Sequence, residues 1–274
     1  MVKLVDASDS KSGDRNIVLV QVRLGAPKIN IHTLTFTFMI TQAKRILYKI
    51  SGECLMGEQA FGHDYDVMKN ICLDIKAVKD KGIDICLVVG GGNIYRGASA
   101  EKTGMDRTVA DYIGMLATIM NAVALQNVLE QNGVPARVQS AIPVTSICEP
   151  YIRRKALRHL EKGRVVIFAA GTGNPFFTTD TTATLRAMEM NCDLLVKGTS
   201  VDGVYSDDPK KNKDAVRFDQ ISYKKVIDEN LKVMDTSAIS LARDRGMKIA
   251  VFSIKQEAPL SNLLLGKTKY TLIS

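Results

Sequence analysis

The sequence contains few of the residues that carry redox, metal or imidazole chemistry. Its five cysteines are widely spaced along 274 residues and form no C-x-x-C pair. An odd number of dispersed cysteines indicates a reducing compartment rather than a disulfide framework or a zinc site. Histidine occurs only three times. A mechanism that depends on a histidine base or a histidine-rich metal site is therefore not favoured.

Long apolar runs and repeats are also missing. No stretch approaches the roughly 18 uninterrupted apolar residues that a membrane span requires. We find no internal repeat and no low-complexity tract. The contents of 46% hydrophobic and 24% charged residues are those of an ordinary globular protein. These features predict a soluble protein of the cytoplasm that does not interact with membranes.

The net charge is positive, but the basic residues do not form a large patch in the sequence. The formal charge is +8 and the pI is about 9.2. Lysine and arginine alternate with acidic residues, and the densest basic group is Lys210, Lys211 and Lys213. A nucleic-acid-binding protein usually concentrates its basic residues on one face or in one tail. The charge therefore favours phosphorylated small molecules, whose encounter it would accelerate, over nucleic acid.

The first 40 residues differ from the rest of the chain. Their charges are scattered and the run Ile31–Ile40 is interrupted by threonines, so they do not form a secretory signal. The opening MVKLVDASDSKSGDRNIVLVQVRLGAP resembles the conceptual translation of a transfer-RNA gene. We interpret residues 1–40 as an extension outside the domain, with the start of the protein at Met39, and residues 41–274 as a single domain. A natural extension that adds an edge strand is the alternative.

From Lys44 onward, short apolar strands and amphipathic helices alternate. Arg45–Ile50 and Ile83–Val89 have the nearly continuous apolar character of buried strands. Asp64 can cap a helix after the first of them. Further strands are predicted at Ala136–Ser140, Arg164–Ala169, Asp193–Lys197 and Lys248–Ser253, and further helices near Tyr151–Leu160, Asp180–Met190, Thr236–Arg245 and Pro259–Leu264. The alternation predicts an α/β fold, a three-layer αβα sandwich with a mainly parallel central sheet.

The longest predicted helix runs from about Asp106 to Gln131. Apolar residues recur in it at helical spacing, which predicts a single buried face. The residues expected on that face are Val109, Tyr112, Leu116, Ile119 and Val123.

In parallel sheets ligands bind where the strands end, so the loops at those ends are expected to carry the binding residues. Gly90-Gly91-Gly92-Asn93 follows a buried strand and leaves several N–H groups accessible to an anion. It is neither a Walker loop nor a dinucleotide fingerprint, and a tight turn is its structural alternative. Lys49-Ile50-Ser51-Gly52 ends the first strand, where the lysine can reach the crevice or simply be exposed to solvent.

Two longer loops carry more information. Gly171–Asp180 (GTGNPFFTTD) connects a strand to a helix and exceeds the usual 2 to 6 residues of such connections, which indicates a function. Thr199–Pro209 combines the turn dipeptide Asp202-Gly203 with Val204 and Tyr205, which could hold a purine. A surface hairpin is the alternative for this second loop.

These motifs, in this order, resemble the amino acid kinase superfamily and, within it, the bacterial UMP kinases. The resemblance runs from about residue 44 to residue 274. The D-G-V-Y-x-x-D-P element is typical of the whole superfamily, whereas Gly171–Asp180, Asn93–Gly97 and Met56–Gly62 are more specific. The resemblance implies direct in-line transfer of the γ-phosphoryl group of ATP to UMP, which yields UDP in pyrimidine nucleotide biosynthesis. It also implies Mg²⁺ carried by ATP, with no direct protein ligand.

The resemblance implies roles for particular residues. Lys49 would stabilise the transferring phosphoryl group, and Asp180 and Asp235 would orient Lys49 and the metal-bound phosphates. The residues implied for ATP are Lys49, Ile50, Ser51, Gly52, Gly92, Arg96, Thr199, Tyr205 and Asp208. Those implied for UMP are Gly91, Asp111, Thr172, Gly173, Asn174, Pro175, Phe176, Phe177, Thr178 and Thr179. Asp111 would accept hydrogen bonds from ribose hydroxyls; for Asp111 and Asp235 a solvated or helix-capping carboxylate is the alternative.

Regulation and assembly follow only from the resemblance. It implies a homohexamer that GTP activates and UTP inhibits. The implied GTP region consists of Gly57, Glu58, Gln59, Ala60, Phe61 and Gly62. Two other readings stay open: another small-molecule kinase of the same fold, and a non-catalytic relative that stores or senses anions.

Overall fold

The computed structural model describes residues 40–95 and 104–274. The N-terminal segment discussed above and its expected start at Met39 lie outside the described residues. Arg96, expected to bind phosphate, also lies outside them. The fold and the site are therefore described for the remaining part of the chain.

A nine-stranded sheet forms the centre of the molecule. Its strands, together with those of a separate hairpin, are β1 (Arg45–Ile50), β2 (Asp84–Val89), β3 (Ala136–Ser140), β4 (Glu149–Pro150), β5 (Val165–Ala169), β6 (Leu194–Thr199), β7 (Val204–Tyr205), β8 (Arg217–Phe218), β9 (Gln220–Ile221), β10 (Ile249–Ser253) and β11 (Tyr270–Ile273). The order in the sheet is β4-β3-β5-β2-β1-β6-β10-β11-β9, and β7 pairs with β8 alone. Within the sheet only the β10–β11 pair is antiparallel.

Helices cover both faces of this sheet. They are α1 (Tyr65–Lys79), α2 (Arg107–Gln131), α3 (Arg153–Glu161), α4 (Thr179–Glu189), α5 (Tyr223–Asp228), α6 (Thr236–Arg245) and α7 (Pro259–Leu264), with a short 3-10 helix at Gly52–Leu55. Apolar residues of α1, α2 and α7 pack on one face. Those of α3, α4, α5 and α6 pack on the other face. The predicted three-layer α/β class is confirmed.

The central strands alternate their side chains between two cores. Ile46, Tyr48 and Ile50 of β1 face the core under α1 and α2, whereas Leu47 faces the opposite core. Successive side chains of a strand point to opposite faces, so a strand covered on both sides must be apolar throughout. This explains the continuous apolar runs in the sequence.

Most of the predicted elements are confirmed, and the missed ones are short. The helices at Thr236–Arg245 and Pro259–Leu264 have the expected bounds, and Asp64 caps α1 by accepting a hydrogen bond from the N–H of Val67 at 3.1 Å. The strands β4, β7, β8 and β9 have two residues each, which is too short for a period of two to be visible. Helix α5 and strand β11 were also not predicted.

The predicted buried face of α2 is partly correct. Ile119 is buried and Val123 packs against the same core, but Val109, Tyr112 and Leu116 are about half exposed, at 49%, 45% and 50%. The buried residues of the helix include small and polar ones besides large apolar ones; they are Ala110, Met115, Ala117, Thr118, Ile119, Asn121, Ala122, Leu125, Val128 and Leu129. Apolar residues occur on more than one side of this helix, so their spacing alone did not identify the face that small residues allow to approach the sheet.

Helix α2 is also the only described helix that is long and apolar enough to cross a membrane by length and composition. In the structure 44% of its apolar window is buried inside the protein. A core helix of a soluble protein meets the same criteria, so this is weak evidence for a span.

Candidate active site

The parallel strands bring the glycine-bearing loops to one edge of the sheet. Strands β5, β2, β1 and β6 are neighbours in that order and run parallel. Their carboxyl ends therefore lie side by side, followed by the loops after residues 169, 89, 50 and 199. This is the edge at which open α/β sheets bind ligands.

The turns after β1 and β2 are in direct contact. The N–H of Gly90 donates to the carbonyl of Ile50 at 3.0 Å. A Cβ atom on Gly52 would overlap the carbonyl oxygen of Gly90 and lie 2.6 Å from Oδ1 of Asn93. A Cβ on Gly91 would lie 2.9 Å from that of Ala117 in α2. Glycine is thus required here because two turns and a helix approach each other closely.

Asp180 joins two lysines at the start of α4. Its Oδ1 lies 2.9 Å from Nζ of Lys49, and its Oδ2 lies 2.7 Å from Nζ of Lys197. The side chains of Lys49, Lys197 and Asp180 are only 10%, 12% and 15% exposed. Lys197 also donates a hydrogen bond to the carbonyl of Val233. These three side chains are called the Lys49–Asp180–Lys197 cluster below.

Burial and neighbouring charges shift the pKa values of Asp180 and Lys197 in the cluster. Burial opposes ionisation of Asp180, but the charges of Lys49 and Lys197 and their hydrogen bonds outweigh it, so the pKa of this carboxyl lies below its ordinary value. Burial has the largest influence on Lys197 and lowers its pKa, and the Lys49 charge adds to this while Asp180 opposes it. Two ammonium groups share one carboxylate, so the cluster carries an excess positive charge that suits phosphate oxygens.

The N-terminus of α4 lies beside the cluster, and its N–H groups at Asp180 and Thr181 are bonded to the helix cap. Thr178 caps the helix, and its Oγ1 accepts hydrogen bonds from the N–H groups of Asp180 and Thr181 at 3.0 and 3.3 Å. Helix N-termini favour anions because their N–H groups and dipole point outward. The loop before it is bent by two glycines with positive φ, Gly171 at 59° and Gly173 at 82°.

Asp235 has a different environment from that expected. It caps α6 by accepting from the N–H of Ala238 at 2.9 Å, and it also accepts from the hydroxyls of Thr178 and Thr181. Its described hydrogen bonds therefore join the starts of α4 and α6 rather than orient Lys49 directly. This geometry is that of a helix-capping carboxylate, the alternative role that the sequence left open for Asp235.

Two cavities flank the first turn of α4. The smaller has a volume of about 140 Å³ and is lined by Gly91, Gly92, Asp111, Thr172, Phe177 and Thr179, among others. The larger, about 460 Å³, is lined by Asp180, Lys197, Val226, Val233, Asp235 and Ile239, among others. Thr179 lines the smaller cavity and Asp180 lines the larger one, so consecutive residues of α4 border the two cavities.

Asp111 holds the loop that borders the smaller cavity. Its Oδ2 accepts from the N–H of Phe176 at 2.8 Å, and Nε of Arg107 lies 3.0 Å from Oδ1. Phe176 has a positive φ of 71°, which a non-glycine residue rarely adopts. The Arg107 guanidinium lies 5.9 Å from the Phe176 ring centroid. A strained loop residue is thus fixed by the carboxylate expected to bind ribose.

The remaining expected residues are distributed unevenly. Ile50, Ser51 and Gly52 adjoin the Gly90 turn, and Gly173, Asn174 and Pro175 lie in the loop before α4. Thr199, Tyr205 and Asp208 do not line the larger cavity. Tyr205 belongs to the β7–β8 hairpin and donates to Asp202 at 2.6 Å, and Asp208 accepts from the N–H of Lys210 at 3.0 Å. Gly57–Gly62 follows the 3-10 helix, and its Phe61 is 76% exposed.

Lys197 and Asn121 were missed from the sequence. Lys197 ends the run Leu194-Leu195-Val196, and a lysine within a buried apolar strand is a usable signal because burial of a charge requires a partner. Asn121 lies within the apolar sequence of α2 and is completely buried. A buried amide in a core helix gives a weaker signal of the same kind.

The chain is similar to known proteins over most of its length. The model of the amino acid kinase family matches residues 44–253. The uridylate kinases of Rickettsia conorii and of Wolbachia pipientis wMel are each 60% identical over 230 residues, which cover 84% of this chain and 95% and 93% of those proteins.

Solved structures agree with the sequence matches. The UMP kinase of Bacillus anthracis superimposes with a TM-score of 0.81 at 40% identity, covering 85% of this chain and 96% of the other. The uridylate kinase of Archaeoglobus fulgidus superimposes with a TM-score of 0.64 at 26% identity, covering 84% and 99%.

Proposed function

The chain belongs to the amino acid kinase family, and on this basis we propose that it is a UMP kinase. It transfers the γ-phosphoryl group of ATP to UMP by a direct in-line reaction, which yields UDP and ADP in pyrimidine nucleotide synthesis. The uridylate kinases of 60% identity support this substrate pair. The observation that carries the proposal is the Lys49–Asp180–Lys197 cluster between two cavities.

The cluster meets the main requirement of phosphoryl transfer. The reaction needs positioning and charge stabilisation more than covalent help from the protein. The attacking group is a phosphate oxygen of UMP, which is largely ionised near neutral pH, so no strong base is needed. Lys49 stabilises the negative charge on the transferring group, and Lys197 adds a second cation beside it. Asp180 holds both ammonium groups in place.

UMP occupies the smaller cavity in this proposal. The N–H groups of Gly91 and of Thr179 at the start of α4 receive its phosphate, because a glycine turn and a helix N-terminus are main-chain anion sites. Asp111 accepts from the ribose hydroxyls at the start of α2. The loop Thr172–Thr179 closes the other side of the cavity and supplies hydroxyls, an amide and the two phenylalanine rings.

ATP occupies the larger cavity, with its phosphates toward Lys49. Main-chain groups of Ile50, Ser51, Gly52 and Gly92 adjoin that position. Ile227 and Leu231, which are partly exposed, offer apolar surface for a base. Thr199 lies two residues after Lys197. Tyr205 and Asp208, which belong to the β7–β8 hairpin, contact the adenine nucleotide. Arg96 binds phosphate from the segment between the described ranges.

Mg²⁺ enters this site with ATP. Both oxygens of Asp180 are paired with ammonium groups. Residues 40–95 and 104–274 contain no group of three or more histidine, cysteine, aspartate or glutamate side chains suited to a metal ion. The protein donors therefore fit an ion held by phosphate oxygens better than an ion held by the protein. When bound there, Mg²⁺ neutralises phosphate charge.

A side-by-side substrate assay tests the function. ADP release is measured with ATP and either UMP, CMP or aspartate as the acceptor. We expect turnover with UMP to exceed that with the other two acceptors by at least about 100-fold, because a site that hydrogen-bonds its substrate rejects analogues strongly. Preferential turnover of aspartate would support another kinase of the fold, and ADP release with none of them would support a binding protein.

The exposed face of α2 supports assembly of the chain with copies of itself into a homohexamer. Val109, Tyr112, Leu116 and Met120 form one stripe and are 45–55% exposed. Their spacing of three to four residues places them on one side of the helix, and a contiguous apolar stripe marks an interaction surface. Light scattering of the wild type and of Leu116→Glu tests this: we expect a hexamer and a smaller species, respectively. A monomeric wild type would contradict it.

Regulation is proposed from the resemblance alone. GTP activates at the region Gly57–Gly62, and UTP inhibits. The large exposed Phe61 ring in this region is consistent with an accessible ligand surface. Initial rates with each nucleotide at fixed ATP and UMP test both effects. The enzyme is proposed to act in the cytoplasm.

A further inference from the structure

A closed network of buried amides lies behind the Gly90–Gly92 turn. Asn93 and Asn121 are 2% and 0% exposed. Nδ2 of Asn121 donates to the carbonyl of Gly90 at 2.6 Å and to Oδ1 of Asn93 at 2.7 Å. Nδ2 of Asn93 donates to the carbonyl of Gly62 at 2.8 Å and to Oδ1 of Asn121 at 3.0 Å. All four amide N–H groups thus have a partner.

His63 completes this network from the outside. Its Nε2 lies 2.6 Å from Oδ1 of Asn121. That oxygen carries no proton, so Nε2 of His63 must be the donor. Nε2 of His63 therefore carries a proton in this contact, as the amide orientation that the Gly90 carbonyl requires dictates. His63, Asn93 and Asn121 are called the amide junction below.

The amide junction joins three segments that carry different parts of the proposed site. Asn121 belongs to α2, whose N-terminal part carries Asp111. Asn93 follows the Gly90–Gly92 turn, and its main-chain carbonyl accepts from the N–H of Gly62 at 2.8 Å. His63 and Gly62 end the loop that follows the 3-10 helix. A buried polar network of this kind defines one arrangement, because any shift leaves a buried group without a partner.

The hydrogen bond from Asn121 to the Gly90 carbonyl also determines the direction of the Gly91 N–H group. The described peptide bonds are all trans. In a planar trans peptide the carbonyl and the following N–H point in opposite directions. Asn121 holds the Gly90 carbonyl toward α2, so the N–H of Gly91 points away from Asn121. Gly91 lines the smaller cavity. Rotation of this peptide would remove that N–H from the position in which an anion can meet it.

We propose that Asn121 is a positioning residue that orients the Gly90–Gly91 peptide toward the UMP phosphate, and that His63 acts on this peptide through Asn121. This proposal rests on the proposed function for the identity of the anion. It does not require Asn121 or His63 to touch a substrate. The loop that ends at His63 is thereby connected to the phosphate-binding turn by one side-chain amide.

A double-mutant cycle tests the proposal. We expect Asn121→Ala to lower kcat/KM for UMP by about 30-fold, because a small misplacement of a binding group costs up to about 100-fold. KM for ATP should change less than about threefold. His63→Ala should lower kcat/KM for UMP by about threefold, since it removes one hydrogen bond to the network. In the Asn121→Ala background, His63→Ala should have no further effect.

Two matched variants separate this role from a general effect on folding. His63→Gln keeps an N–H donor and should restore most of the activity that His63→Ala loses. Tyr65→Phe removes another hydrogen bond between the start of α1 and the end of α2, from Tyr65 Oη to Gln131 Oε1 at 3.2 Å. Tyr65→Phe should leave both KM values and kcat unchanged.

Hydrogen–deuterium exchange gives a readout that is independent of catalysis. We expect faster exchange in peptides that cover Val88–Ile94 in both the Asn121 and His63 variants, and no change in Tyr65→Phe. Additive effects of the two substitutions on UMP, equal losses for UMP and ATP, or unchanged exchange in His63→Ala would overturn the proposal. If Asn121→Ala does not fold, His63→Ala and His63→Gln decide it alone. A wild type inactive on UMP would refute the proposed function, while the exchange data would still test the junction.

Discussion

The two cavities beside the start of α4 are built from different groups. The smaller is lined largely by small residues, among them Gly91, Gly92 and Thr172, together with Asp111. The larger is lined by the ion pair of Asp180 and Lys197 together with apolar and further polar residues. Glycines and other small residues are positioned by the fold, whereas Asp180 and Lys197 position each other. Loss of one charge should therefore disturb the larger cavity and the transfer step more than loss of one hydrogen bond disturbs the smaller cavity.

The largest effect is expected at Lys49, which pairs with Asp180 of the larger cavity. Lys49→Ala should lower kcat by about 1000-fold or more, because it removes a cation from a buried site where charge develops in the transition state. Circular dichroism should show an intact fold. Steady-state rates at saturating ATP and UMP provide the measurement. Lys76→Ala, which breaks an exposed ion pair with Asp80, is the control and should have full activity.

A smaller effect is expected at Asp180. Asp180→Asn should lower kcat by about 100-fold, because the two ammonium groups lose the carboxylate that positions both of them. Since Lys197 lines the larger cavity, KM for ATP should change more than KM for UMP. Measurement of both KM values checks this asymmetry. Equal changes in the two values would mean that the cluster does not distinguish the cavities.

The same carboxylate should make stability depend on pH in acid. The pKa of Asp180 is lower in the folded protein than its ordinary value. Its contribution to stability is therefore present above the unfolded pKa of about 3.9 and is lost as the pH falls through the lower folded pKa. Urea unfolding between pH 6 and pH 3 should show a steeper loss in the wild type than in Asp180→Asn. Parallel curves would contradict it.

A more selective effect is expected in the smaller cavity. Asp111→Asn keeps the shape of the side chain but weakens acceptance from ribose hydroxyls and from the N–H of Phe176. We expect KM for UMP to rise about tenfold, since hydrogen bonds to a charged acceptor are among the stronger ones. KM for ATP should remain within about twofold of the wild type. An equal rise for both nucleotides would show that Asp111 acts on the fold rather than on UMP.

The smallest effect is expected at the hairpin. Tyr205→Phe removes the hydrogen bond to Asp202 but leaves the ring. We expect KM for ATP to rise about twofold to threefold, because a partly exposed hydrogen bond contributes little. KM for UMP should not change. A rise above about tenfold would indicate that the hydroxyl contacts the nucleotide itself.

The local sequence pattern predicted the structure correctly where the sheet buries a strand on both faces. The apolar runs of β1 and β2 predicted strands covered on both faces, and Asp64 marked a helix start that the structure has. The glycines of the Gly90–Gly92 turn and of the Gly171–Asp180 loop indicated positions at strand ends. Each of these inferences uses neighbours in the chain, so the sequence contains the information needed.

The sequence pattern did not predict contacts between residues that are distant in the chain. Part of the buried face of α2 was misassigned because the sheet also selects small residues for close approach, and this selection is not visible in apolar spacing. Lys197 was overlooked because its partners, Asp180 and Val233, lie 17 and 36 residues away. The hydrogen bonds of Asp235 with Thr178 and Thr181, which lie 57 and 54 residues away, were likewise not predicted.

By itself, the sequence determined the layered α/β class, the order of strands and helices, and the loops that carry glycine and hydroxyl groups. These depend on periodicity, capping and backbone freedom, which act over a few residues. The tertiary structure decided which lysine shares Asp180 with Lys49, which face of α2 stays exposed, and how His63 reaches the Gly90 carbonyl. Those contacts depend on the order of strands in the sheet, which brings together groups far apart in the chain.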